Sequence, residues 1–565
     1  MRWPTTTLRK LAPQRHRSVS IRARTKRTEV DIVKANPNTA GVCFHGGEHV
    51  LDSFAFLAPA FKAALEQLGP VDVLPEYFHH LDPQQRRAGF DRFIRRIDRL
   101  FLWMPRSPRL LRELLEARSR ADHQVRACYL SLGEMPLGGG WLRACIELLR
   151  PGDRVLFTCS ADRRIFDNLF ESCVAAIDLF PFYVDTARFR RLDAGERART
   201  RADLGYGDTD VVFMYGGRVT PEKNVHALLQ LFARVVRDDP RARLLIAGPI
   251  QGIPFFSRST EAPDLGRLYV GLLRDDSRLR SAVRFIPERL RPDSMVSLYA
   301  AADVFLNLTL HHSENFGLAN VEAMCCGLPV IGSDWGGLRD TIVHGKTGFR
   351  IPTYATGARE YVHLPEAARR CLQLVHDASL RHAMGLAAEQ HARLRYPVTA
   401  LPGRLAEVLQ PAVGTGDGES RLTEFGARFH AEFFDDAALD YPLPRYRPEH
   451  DALYRQLIAP YHTASMPSSS DMHTELFLST PFIEHDGEEL VLVDATWPGE
   501  LRVRGSACAV VHALRGCVFT SPAELIDVAG GGTTGTRVIE QLMTQGVLVS
   551  GPRTVSLAAQ GLEAA

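Results

Sequence analysis

Lysine is scarce in this chain. Of the 68 basic residues only six are Lys (Lys10, Lys26, Lys34, Lys62, Lys223 and Lys346), which leaves 62 Arg. Net charge is also small, formally +2 against 66 acidic residues, so no global field of the sign that draws nucleic acid is present. No stretch reaches the roughly 18–20 uninterrupted apolar residues that a bilayer span takes, which argues against an integral membrane protein. The ten Cys contain no Cys-x-x-Cys pair. The spacing of a disulfide framework or a zinc ribbon is therefore missing, and buried thiols in a reducing cytoplasm are the simpler account.

What is there is a globular composition. Hydrophobic residues make up 45% and charged residues 24% of 565, enough for several cores and an expected three or four units. Residues 1–40 hold ten basic and two acidic side chains with no apolar h-region, so they do not read as a signal peptide. They read first as a solvated basic tail, and second as a contact with anionic lipid or an acidic partner.

From 41 to 185 short apolar runs alternate with helical stretches: strands at Gly41–Phe44, Val71–Leu74, Val125–Leu132, Arg154–Thr158 and Ala176–Phe182. Residues 84–120 read as helical, with Phe90, Phe93, Ile94, Ile97, Leu100 and Phe101 at helical spacing. The Arg-rich face of that stretch reads as solvated, with a membrane-surface or anionic-acceptor contact as the other reading. A second alternating run covers 208–395, and a helix at about 396–412 is expected to pack back on the first unit. Both runs predict parallel sheets with covered faces, that is, two doubly wound α/β units. Residues 413–444 are acidic and read as a linker with a short helix. Residues 445–565 form a small α+β accessory unit.

The second unit carries the chemistry. A strand ends at Gly216-Gly217-Arg218, and Pro221-Glu222-Lys223-Asn224 opens the next helix. The carboxyl end of a strand in an open α/β sheet is where ligands bind, and a guanidinium with an ammonium there suits a diphosphate. Lys223 is one of only two Lys beyond residue 62. Further on comes Ser313-Glu314-Asn315-Phe316-Gly317-Leu318-Ala319-Asn320-Val321-Glu322, a loop running into a helix. The N–H groups at Gly317 and Leu318 favour an anion, and Glu314 and Glu322 can accept hydrogen bonds from neutral hydroxyls. Two exposed Glu at helical spacing is the plain alternative, which the fixed order of the surrounding motifs disfavours. Cys325-Cys326-Gly327-Leu328-Pro329, Asp334-Trp335-Gly336-Gly337 and His344-Gly345-Lys346-Thr347-Gly348 follow.

As an ordered set over about 211–351, these motifs resemble the donor-binding domain of retaining glycosyltransferase family 4. The resemblance implies a GT-B fold: two Rossmann-like domains facing a cleft, the first on the acceptor side. It implies that Arg218 and Lys223 hold the donor diphosphate and that Glu322 bonds the ribose. It further implies that Glu314 contacts the donor sugar and that Gly217, Phe316, Gly317 and Leu318 surround sugar and phosphates. Gly46 and Gly47 resemble the Gly-rich loop that closes over the diphosphate. One departure stands out. Where the family often has a His in the first domain, Ser131-Leu132-Gly133-Glu134 offers Glu134; His45, His79 and His80 are the other imidazoles nearby.

The implied activity is a metal-independent, retaining transfer of a sugar from a nucleotide sugar, UDP- or GDP-linked, with no cofactor. The acceptor is open among a glycan, a lipid-linked molecule, a small molecule and a peptide. The alternative is a non-catalytic GT-B scaffold that recognises partners through its C-terminal unit. That unit resembles a small winged-helix module, similar to peptide-binding modules of some peptide-modifying enzymes. Its nine acidic and five basic residues over 486–565 argue against DNA. Asp208-Thr209-Asp210 reads as a turn rather than a metal motif. His311-His312 lacks a spaced third ligand, so no metal is expected. Gly530-Gly531-Gly532 has no following Lys and reads as a turn. A cytoplasmic location, with a peripheral membrane contact as an option, completes the expectation.

Overall fold

The computed structural model describes residues 39–44, 52–74, 78, 80–103, 108–251, 264–356, 359–411, 419–434, 451–462, 474–486, 488–493, 500–515 and 520–552. The basic tail, the loop with His45, Gly46 and Gly47, and His79 lie outside the described residues.

The first sheet has six parallel strands in the order Val71–Val73, Ala40–Phe44, Arg99–Trp103, Arg126–Ser131, Arg154–Phe157, Ala176–Leu179. The strand Arg99–Trp103 sits inside the stretch expected to be helical throughout. The helix Pro83–Ile94 stops first, and Arg-Leu-Phe-Leu-Trp then pairs with strands on both sides. A short apolar run such as Leu100–Trp103 fits a buried strand as well as a helix face, and here burial on both faces decides. Leu100, Phe101 and Leu102 are fully buried.

The second sheet runs Val283–Ile286, Ala242–Ala247, Val211–Gly216, Val304–Asn307, Val330–Ser333, Gly348–Ile351, again all parallel. In chain order this is 3-2-1-4-5-6, which reverses direction between Val211–Gly216 and Val304–Asn307. A crevice opens at such a switch point, outside the carboxyl ends of the two strands. The residues that follow them are 217–224 and 308–318, the two segments the sequence singled out.

The chain then crosses back. Val184 and Pro397 bridge, the helix Leu401–Val408 lies on Asp52–Glu66, and an Arg404 Nη2 donates to the Leu179 carbonyl at 2.9 Å. Of the stretch expected as a linker with a short helix (413–444), residues 419–434 are described, and they pack on the first unit. Within it, Arg421–Leu422 pairs with Phe170–Ser172, and the helix Glu424–Phe433 buries Phe429 and Phe433 against the first unit. Its acidic composition hid four Phe (Phe425, Phe429, Phe433, Phe434) at helical intervals.

A second helix, Asp451–Ile458, continues into the turn Ala459–Tyr461 and belongs to the same core, not to the accessory unit. The C-terminal part proper pairs Thr474–Leu478 with Leu548–Pro552 and has a meander of Ile483–Asp486, Glu489–Val493 and Glu500–Val503. Three helices follow the meander: Ser506–Ala513, Pro522–Val528 and Gly532–Thr544. Phe477, Phe482 and Val549 are buried against the second α/β unit, and Gln230 Nε2 donates to the Leu478 carbonyl at 2.9 Å. No described helix is long and apolar enough to cross a membrane.

Candidate functional site

Strand Val211–Gly216 is buried along its whole length, so its direction is fixed by packing on both faces. The loop after it is tied down in turn. Tyr215 Oη donates to the Arg218 carbonyl at 2.7 Å, and Gly217 N–H donates to Ala247 at 2.9 Å. Asn224 takes the left-handed conformation (φ 57°) ahead of the helix Val225–Asp238, and its Nδ2 donates to the Leu308 carbonyl at 2.9 Å. The Leu310 N–H donates to Glu222 O at 3.1 Å. These bonds seat the loop 217–224 against the loop 308–314 across the switch point.

The result is a direct pairing of two of the expected site residues. Lys223 Nζ is ion-paired with Glu314 Oε2, with side-chain exposures of 19% and 10%. Arg218 stands on the same loop as Lys223, and the charges of the two disfavour a protonated His311. His311 is buried, its Nδ1 accepts from the Ser313 N–H at 2.9 Å, and its Nε2 points at Glu222, 3.6 Å away. Burial and then the two cations push its pKa well below the usual imidazole value, so the ring is neutral. Neither His311 nor Glu222 stood out in the sequence as part of an anion site. Their adjacency to the two motifs was the available signal. No group of three metal-ligating side chains exists among the described residues.

The helix Leu318–Cys325 begins after Gly317, whose φ of 80° favours glycine. The first N–H groups of such a helix have no carbonyl four residues back and favour an anion. Glu322 lies on this helix, and its Oε2 accepts from Tyr299 Oη at 3.1 Å. A Cβ on Gly216 would come within 3.5 Å of that same hydroxyl, so Glu322 faces the Gly216–Gly217 corner through Tyr299. Burial pushes the Glu322 carboxyl up to about 7, against the downward pull of the tyrosine hydroxyl.

Phe316 behaves differently from its neighbours. Its ring is buried, 5.7 Å from Phe182 and 5.2 Å from Tyr396. Only its main chain is left to face a ligand. Glu134 likewise turns inward: Tyr129 Oη donates to it at 2.5 Å and the Trp141 N–H at 3.2 Å. Burial pushes its carboxyl up to about 7 as well. It anchors the start of the helix Gly140–Cys145 rather than facing the crevice. His80 is exposed. The two α/β units meet beside the site, where Ser313 Oγ donates to Gly133 O at 2.8 Å and Ser160 donates twice to Asp340 at 2.6 Å.

Residues 196–391 match the family model of glycosyl transferases group 1. Among curated proteins, the chain is similar to a D-inositol 3-phosphate glycosyltransferase of Saccharomonospora viridis, 32% identical over 210 residues, covering 37% of this chain and 46% of that protein. A protein of the same name from Kineococcus radiotolerans is 29% identical over 271 residues, covering 48% of this chain and 60% of the relative. The chain thus spans about half the length of these relatives. Among solved structures, a glycosyltransferase from Rickettsia africae aligns at a TM-score of 0.50 and 13% identity over 66% of this chain and 97% of that one. The two doubly wound units are a GT-B fold.

Proposed function

We propose that the chain is a glycosyltransferase that moves a sugar from a nucleoside-diphosphate sugar to an acceptor, with retention at the anomeric carbon. One observation carries the reading: Lys223, on the loop after Val211–Gly216, is ion-paired with Glu314, on the loop after Val304–Asn307, and Arg218 lies on the first of these two loops. Glu322 stands on the helix that starts there. Without donor, Lys223 and Glu314 neutralise each other. With donor, the ammonium turns to the diphosphate, and the carboxylate accepts from a sugar hydroxyl. Gly217, the Phe316 main chain, Gly317 and Leu318 line the path between them, and Glu322 takes the ribose. The named activity of the relatives supports this reading.

As the sugar–phosphate bond breaks, negative charge grows on the leaving diphosphate. In this reading Arg218, Lys223 and the first N–H groups of the helix Leu318–Cys325 stand where that charge develops, and preorganised dipoles and cations are the most effective stabilisers of it. Two side-chain cations do the work a bound divalent ion does in other transferases, so the reaction as proposed uses no metal or cofactor. The acceptor attacks on the face the diphosphate leaves. Presence of all four charged residues favours the enzyme over a scaffold that only binds. A cytoplasmic site of action, a peripheral contact of the basic tail with anionic membrane, and a winged-helix-like, peptide-recognising role for the C-terminal part belong to the same proposal.

The test is a thermal-shift and calorimetric panel of UDP, GDP, UDP-glucose, UDP-N-acetylglucosamine and GDP-mannose, followed by release of nucleoside diphosphate from the donor that binds. Binding that is lost in Arg218→Ala and Lys223→Ala, with slow release of diphosphate, supports transfer. Binding without release by the wild type favours the scaffold, and no binding across the panel overturns both.

A further inference from the structure

The loop that carries Glu314 is held from behind by a segment far downstream. Trp335 Nε1 donates to His311 O at 2.8 Å, and the Gly337 N–H donates to Glu314 O at 2.8 Å. The loop 335–337 is therefore the floor under the loop 311–315. That floor has its own support. Gly336 N–H donates to Tyr461 O at 3.3 Å, and one Arg339 Nη donates to the Pro460 and His462 carbonyls, each at 2.9 Å. The Tyr461 ring meets Trp335 edge-on at 5.3 Å, and His462 does so at 4.8 Å. A Cβ on Gly336 would fall 2.4 Å from Glu314 O and 2.5 Å from Tyr461 Cε1. The tyrosine ring and the Glu314 main chain are thus separated by the thickness of one glycine. Higher up, the Tyr454 hydroxyl is hydrogen-bonded to His312 Nδ1.

The other side of the same segment grips the first α/β unit. Tyr461 is fully buried, and its hydroxyl donates to Asp162 Oδ1 at 2.6 Å, on the helix Ser160–Leu169. Asp162 stands beside the Gly133 amide. Gly133 in turn accepts from Ser313, next to Glu314. Leu453, Leu457 and Ile458 are buried in the first unit's core together with Trp335 of the second. One short stretch thus touches both halves of the cleft, and each contact is one residue from the loop bearing Glu314.

We propose that the segment 451–462 is an interdomain strap that fixes the sugar-binding loop, with Tyr461 as its positioning residue; this rests on the glycosyl-transfer reading above. Tyr461 does not reach the crevice. It sets where the Glu314 backbone sits between the two units, and so how the donor sugar is presented to the acceptor side. A loop displaced by even about 1 Å costs heavily in rate while leaving phosphate binding, which lies with Arg218, Lys223 and the helix start, in place. The strap also joins the transfer site to the C-terminal part of the chain.

The experiment uses the full chain and three variants: Tyr461→Ala, Tyr461→Phe and Tyr454→Phe. Two quantities are read. One is the ratio of the turnover of the donor (release of UDP or GDP, whichever is bound) to the Kd of the free nucleoside diphosphate. The other is hydrogen exchange of the amides of residues 311–317 and 335–337. The expected result for Tyr461→Ala is a turnover at least about tenfold lower with Kd within about threefold of wild type, and faster exchange confined to these two loops. Removal of a buried ring can unfold the chain, so the two Phe variants, which keep every ring, test the same point with an expected loss of about threefold. Unchanged turnover, or turnover and Kd that worsen in step, overturns the strap. A wild type that releases no diphosphate overturns the transfer reading instead. In that event the exchange measurement alone decides the strap: unchanged exchange in the variants overturns it.

Discussion

Lys223 and Glu314, ninety-one positions apart in sequence, are ion-paired at the mouth of the switch-point crevice. In the proposed transfer site each is the other's stand-in for a part of the ligand: the ammonium for a sugar hydroxyl, the carboxylate for a phosphate. Binding therefore has to break the pair, and the two residues have opposite effects on the free nucleotide. Lys223→Ala removes the cation and should weaken nucleoside-diphosphate binding at least about tenfold, the equivalent of about 1.4 kcal/mol. Glu314→Gln frees the ammonium and should leave that affinity equal or tighter, while turnover of the sugar donor falls by about tenfold or more. Calorimetry with the free diphosphate, and diphosphate release with the sugar donor, check the two halves. Weaker diphosphate binding in Glu314→Gln would refute the exchange of partners.

The role proposed for Glu322 at the ribose gives donor binding a pH dependence with a definite sign. Its carboxyl lies up at about 7 because burial disfavours the charged form. A ribose needs an acceptor, so donor affinity should rise as pH increases through about 7, and Glu322→Gln should flatten that rise. Tyr299→Phe removes the hydroxyl that pulls the pKa down, so the midpoint should move higher still. Stability runs the other way. A carboxyl raised above its unfolded value binds its proton more tightly when folded, so this group's contribution is full below about 4.5 and is lost as pH climbs towards about 7. Thermal melts of the ligand-free Glu322→Gln variant across that window should fall less with pH than those of the wild type.

The motifs that carry this site were readable because each is local. Gly216–Asn224 is a strand end, a tight loop and a helix start, and Ser313–Glu322 is another. Their meeting followed from the strand order, since alternating strands and helices leave few places for a crevice. What could not be read was decided at long range. The run Arg99–Trp103 is a strand only because sheet partners and helices cover both of its faces. Gly348, the end of a motif to which no strand was assigned, begins Gly348–Ile351, the edge strand of the second sheet. Phe316 sits in the motif by sequence, yet its ring is claimed by Phe182 and Tyr396 across the cleft. The acidic composition of 413–444 masked a buried aromatic face. Nothing in the local sequence of Tyr461 points to Asp162 or Trp335.

Asn224 should be sensitive in two separable ways. Its φ of 57° is costly for most side chains, and its amide holds the Leu308 carbonyl. Asn224→Ala loses both and should cost about 1–3 kcal/mol of stability. Asn224→Gly keeps the backbone angle and loses only the bond, so it should cost less, about 1 kcal/mol. Both variants should weaken nucleotide binding, because the bond seats Lys223's loop against that of Glu314. Denaturant midpoints give the first pair of numbers and calorimetry the second.

The helix Glu424–Phe433 predicts a stability defect that spares the site. Gly426 lies so close to the first unit that an added Cβ would stand 2.1 Å from the Leu169 carbonyl oxygen, a backbone atom that cannot rotate away. Around it, Thr423 Oγ1 donates to Asn168 O at 2.6 Å, and His430 Nε2 bonds Gly138 O at 3.0 Å. Gly426→Ala must therefore push the helix off Phe170 and Leu169, at a cost of about 1–3 kcal/mol for forced repacking. The second unit, with Arg218 and Lys223, is not touched by this contact. The variant should melt earlier while its nucleoside-diphosphate Kd at low temperature stays within about twofold of wild type. If instead the melt were unchanged, residues 424–433 would be dispensable to the first unit.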